Sequence, residues 1–126
     1  MGLDMYLTAN RIKENQIHEI MEVAYWRKVN AVHKWFVENV QSGVDDCNKH
    51  FVSRNKLTQL INLCTKVISH KELATTLLPP AAGFFFGSTE INNFYFNDLQ
   101  ITVDTLSKAL KDKNLKNFFF TYQSSW

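Results

Sequence analysis

Cysteine and proline are scarce in this chain, two of each among 126 residues, and glycine occurs only four times. Two cysteines, Cys47 and Cys64, are too few for a disulfide framework and read as reduced thiols. The few glycines form no phosphate-cradling loop and no dinucleotide fingerprint; Gly83-Phe84-Phe85-Phe86-Gly87 has bulky rings where such a cradle needs small residues. No apolar run approaches the ~18–20 residues that a membrane span requires. An excess of one charge is missing too: 14 basic side chains face 12 acidic ones, so no strong field commits the protein to nucleic acid or membranes. The start, Met1-Gly2-Leu3-Asp4, has an acid where a secretion signal has a basic region, so the expected compartment is cytoplasmic. No catalytic signature stands anywhere in the chain.

What is present is an ordinary globular balance, 45% hydrophobic and 21% charged, with aromatics raised to 13% by ten phenylalanines. The length fits one domain, residues 1–126, large enough for a core without staples. Leu3 to Thr8 alternates apolar and polar and predicts a half-buried strand. Asn10 to Gln16 is polar and reads as a connection. From Ile17 to Val40 the spacing of Tyr25, Val29, Val32 and Phe36 predicts one long central helix, stopped by Gln41-Ser42-Gly43. Val44 to Val52 reads as a loop.

Ser53 is a good cap for a second helix striped by Leu57, Leu60, Ile61, Cys64, Val67 and Ile68. Ser69 and Glu72 match a capping box for a short helix that ends at Pro79-Pro80. Phe84 to Phe86 and Phe94 to Phe96 predict a Phe-rich hairpin. Asp98 is placed to cap a last helix striped by Leu99, Val103, Leu106 and Leu110, and Phe118 to Ser124 predicts the final strand. The expected fold is α+β: a small, mainly antiparallel sheet of the terminal strands and the hairpin, packed against three or four helices.

Chemistry is sparse. Asp45, Asp46, Cys47 and His50 are one ligand pair short of a structural zinc site, so no metal and no cofactor is expected. Cys64 sits on an apolar stripe where a thiol is packing. Basic residues such as Lys108, Lys111 and Lys113 alternate with acids, which disfavours a nucleic-acid surface. The informative oddity is polar groups among aromatics: Asn30 and His33 beside Trp26 and Arg27, Asp4 and Tyr6 on one strand face, Tyr122 and Gln123 near the end. Either these groups satisfy one another as a buried network or they line a cleft for a small ligand. Consecutive rings at Phe84–Phe86 and Phe118–Phe120 must point to both faces of a strand, which predicts an apolar patch covered in a homo-oligomer, most simply a dimer.

The opening Gly2-Leu3-Asp4-Met5-Tyr6-Leu7, the run Tyr25-Trp26-Arg27-Lys28 through His33-Lys34-Trp35-Phe36, Gly83 to Glu90 and the terminal Tyr122-Gln123-Ser124-Ser125-Trp126 resemble a family of small bacteriophage and prophage proteins. Similar proteins often carry a longer segment between the first strand and the long helix. The resemblance implies a phage product acting in the host cytoplasm and carries over no catalytic residue. Together these readings predict a non-enzymatic protein that counters host antiviral defence by sequestering a nucleotide-like signal. Its ligand would be bound by Asp4, Tyr6, Trp26, Arg27, Asn30, His33, Tyr122 and Gln123. One alternative is an anti-CRISPR-like inhibitor that binds a host defence enzyme. Another is a small hydrolase or transferase using His33 or Cys47.

Overall fold

The computed structural model describes residues 2–83 and 85–126. Among the described residues four antiparallel strands, β1 (Asp4–Lys13), β2 (Gln16–Arg27), β3 (His50–Val52) and β4 (Phe119–Ser125), form one sheet in the order β2-β1-β4-β3. The helices are α1 (Asn30–Asn39), α2 (Arg54–Ser69), the short α3 (Ala74–Leu77) and α4 (Asn93–Lys111). The α+β class stands, and the terminal strands are neighbours: Tyr6 lies opposite Gln123.

One face of the sheet is covered. Leu3, Met5, Leu7, Phe120 and Tyr122 bury completely, while Tyr6, Thr8, Thr121 and Gln123 between them stay half-exposed. That alternation is the period-two signature of a sheet packed on one side. The covering layer is the stripe of α2 (Leu57, Leu60, Cys64, Val67), Val32 and Phe36 of α1, and Leu99 and Leu106 of α4. Ser53 caps α2 as expected, its side chain accepting from the Lys56 N–H.

Burial pushes the Cys64 thiol up to about 12, whereas Cys47 is exposed. A thiol-specific disulfide reagent is therefore expected to titrate Cys47 alone in the folded protein and Cys64 only in denaturant. Reaction of both thiols without denaturant would show that α2 opens.

Several expectations fail, each for an identifiable reason. The long helix does not reach back to Ile17, because that stretch is β2. Glu14 and Asn15 both take positive φ (55° and 63°), the geometry of a two-residue hairpin turn, and Lys13 pairs with Gln16. Register shifts at Leu7/Thr8 and Ala9/Asn10 then break the alternation that would have marked β2 as a strand. The polar stretch after Asn10 is accordingly strand and turn. β3, inside the expected loop, is a three-residue edge strand on β4.

Among the described residues the Phe-rich hairpin is absent from the sheet. Phe94 to Phe96 form the first turn of α4, capped by Asn92, whose side chain accepts from the N–H groups of Phe94 and Tyr95; Asp98 lies within that helix and does not cap it. Residue 84 falls outside the described residues. Phe85 turns at φ 67°, and the Phe86 ring folds back over Gly83, where an added Cβ would lie 2.7 Å from it. Residues 78–83 and 85–92 thus form an irregular strap across the start of α1.

Candidate functional site

The eight polar and aromatic residues singled out from sequence fall into two groups. Trp26, Asn30, His33 and Tyr122 point into the core; Asp4, Tyr6, Arg27 and Gln123 lie on the uncovered sheet face.

Every member of the inward group has a hydrogen-bond partner within the protein. Trp26 Nε1–H donates to Thr102 Oγ1 at 2.9 Å. Asn30 donates to the carbonyls of Phe86 (3.0 Å) and Ser88 (2.9 Å) and accepts the Ala81 N–H (2.9 Å), pinning the strap to α1. His33, 1% exposed, lies 2.6 Å from the Tyr122 hydroxyl through Nδ1 and 3.0 Å from Asp45 through Nε2. Desolvation holds the His33 pKa below its ordinary value, with Asp45 pulling the other way, and burial holds Tyr122 well above its own. The neutral ring donates Nε2–H to Asp45 and accepts the Tyr122 proton at Nδ1. Both nitrogens are used, so the buried-network alternative describes this group.

The outward group is an ion-paired surface cluster. Asp4 Oδ1 accepts from the Tyr25 hydroxyl at 2.5 Å and from Arg27 at 2.8 Å, which holds its carboxyl below the usual range. The rings of Tyr6 and Tyr25 are 5.4 Å apart, and Gln123 donates to the Cys47 carbonyl. A shallow groove of about 420 Å³ runs along this face between Tyr6, Thr8, Glu19, Glu22 and Gln123. Its two carboxylates oppose an anionic ligand, although Glu19 pairs with Lys49.

A narrower cleft, about 200 Å³, lies between the start of α1, the strap and the first turns of α4. Lys28, Asn30, Ser88, Glu90, Phe94 and Asp98 are among the residues that line it. Lys28 turns the chain from β2 into α1 at φ 58°. Among the described residues no side chain caps α1, so its first N–H groups carry the positive end of the helix dipole unassisted. Phe94 is 80% exposed at the mouth. The cleft desolvates Asp98 and raises its pKa. Sequence reasoning missed Phe94 and Asp98 because it assigned them to a strand and a cap.

Among the described residues no three His, Cys, Asp or Glu side chains gather to hold a metal ion. Asp46 bonds His50 at 2.7 Å, while Asp45 turns to His33 and Trp126. Among the described residues no helix is long and apolar enough to cross a membrane. No family model, curated protein or solved structure matches the chain.

Proposed function

We propose that this is a non-enzymatic, phage-encoded binding protein that captures a nucleotide-like signalling molecule in the host cytoplasm and so counters antiviral defence. The observation that carries the reading is the cleft at the start of α1, which joins an exposed ring, a cation and an uncapped helix start. Aromatic rings stack bases, and cations beside a helix N-terminus meet phosphate. The resemblance to small phage proteins supplies the setting. His33 has both ring nitrogens engaged, which speaks for binding without turnover by that residue.

Mass spectrometry of the protein purified from phage-infected cells, native and then denatured, tests this. A released nucleotide is the expected result; a clean protein mass in both states overturns the reading. Phe94→Ala is expected to weaken nucleotide binding roughly tenfold, from the loss of one stacking ring worth about 1–3 kcal/mol. Because the ring is largely exposed, the melting temperature should stay unchanged.

A second reading, an inhibitor of a host defence enzyme, draws on the β1–β2 hairpin. Ile12, Ile17, Ile20 and Met21 are all exposed on it, an apolar patch of the kind that marks a protein interface. A co-purifying host protein would favour this reading. A second copy of the chain would cover the same patch, and light scattering at micromolar concentration reads that; a strict monomer rules it out.

A further inference from the structure

We propose that the ligand of the α1–α4 cleft carries an aromatic base with an exocyclic amino group, as adenine and cytosine do, and that Asp98 is the residue that recognises it. This deepens the nucleotide reading above and rests on it.

Asp98 is a half-buried carboxylate in a cleft, and among the described residues no hydrogen bond or ion pair engages it. Two of its neighbours already have partners, and Glu90 is exposed to solvent. Asn30 spends its amide on the strap, and Glu90 accepts from Asn92 at 3.3 Å. Asp98 is thus an uncommitted acceptor in the cleft, whose lining also includes Lys28.

Its placement is rigid. The Asp98 carbonyl accepts from Thr102 Oγ1–H at 2.8 Å, and the same oxygen of Thr102 accepts from Trp26 Nε1–H, tying this turn of α4 to the sheet. Phe94 stands four residues before Asp98 and shares its helix face, so a ring lying against Phe94 presents its edge to the carboxylate. An ionised carboxylate only accepts hydrogen bonds. An amino group at that edge supplies the donor the desolvated group lacks, whereas a keto oxygen sets acceptor against acceptor. The volume, about 200 Å³, admits one base and leaves sugar and phosphate outside, toward Lys28 and the start of α1.

Calorimetric titration of the whole protein with two matched pairs tests this: AMP against IMP, and CMP against UMP, each differing by an amino group for an oxygen. At least one amino member is expected to bind roughly tenfold or more tightly than its keto partner, because a site that lacks its donor rejects the analogue. Asp98→Asn, whose side chain both donates and accepts, is expected to bring that pair to within about threefold. Its melting curve, matched to the unsubstituted protein, confirms that the change is local.

Equal binding within both pairs overturns the role of Asp98 while leaving nucleotide capture standing. Displacement of bound AMP by putrescine as readily as by adenosine shows that the carboxylate serves a plain cation, and likewise overturns the proposal. If none of the four nucleotides binds, the proposal falls, and the functional reading rests on the mass spectrum alone.

Discussion

Asn30→Ala is expected to lower the unfolding free energy by roughly 2–4 kcal/mol, since a buried partner left unsatisfied costs about 1–3 kcal/mol and a partly hydrated one less. The side chain is buried, and its loss strands two carbonyls, Phe86 and Ser88, and the Ala81 N–H. These groups sit where an irregular strap crosses a helix, so no sheet or helix partner stands ready to replace the amide. Asn30→Asp is expected to do little better, because it keeps the acceptor for Ala81 but aims a carboxylate at two carbonyl oxygens. Urea unfolding measures the shift in midpoint, and hydrogen exchange at Ala81 and Phe86 locates it. A loss under about 1 kcal/mol would mean that the strap is held by its apolar contacts instead. The cleft should go with the strap, because Pro80, Ser88 and Glu90 form its outer wall.

His33→Ala is expected to cost roughly 3 kcal/mol while leaving nucleotide affinity of the folded fraction unchanged. The substitution opens a void against the Phe86 ring, which meets the imidazole edge-on at 5.4 Å, and leaves the fully buried Tyr122 hydroxyl unpartnered. Tyr122→Phe keeps the stack on Phe36, whose ring lies 3.8 Å away and nearly parallel, and is expected to cost only about 1–2 kcal/mol. Lost affinity with unchanged stability would return His33 to a ligand site.

The same histidine sets a pH dependence. In the unfolded chain the imidazole takes its proton near about 6.5, and in the folded protein desolvation lowers that value. Between the two the unfolded chain binds more protons, so this contribution to stability is full above pH ~6.5 and is lost as pH falls through the folded pKa. Urea midpoints from pH 8 to 5 should decline on the acid side, and His33→Ala should flatten that decline.

Much of the fold was legible in sequence because it is local. Ser53 and the apolar stripe from Leu57 to Val67 specify α2 by themselves, since cap and periodicity lie within a few turns. The alternation of Leu3, Met5 and Leu7 specifies a strand with one covered face. Short helix-like stretches are different. The spacing of Val32 and Phe36 holds within α1, but carrying it back across Lys28 to Tyr25 joined two elements that a left-handed residue separates. Phe94-Tyr95-Phe96 looks like a strand by composition. It is helical because Asn92 caps it and Tyr95 buries, its hydroxyl donating to the Leu78 carbonyl.

The candidate site was legible only as a list. That polar groups sat among aromatics followed from sequence; which way each pointed did not. The sequence by itself determined the α+β class, α2 and the strand character of the two chain ends, because caps, stripes and alternation act over neighbouring residues. Tertiary structure decided the rest. It made β2 a strand by pairing it with β1, and it turned His33 toward Tyr122, 89 residues away. It also split Asp4, Tyr6, Arg27 and Gln123 from the buried network and brought Lys28 and Asp98 to line one cleft. Such contacts depend on which distant segments meet, and no local periodicity encodes that.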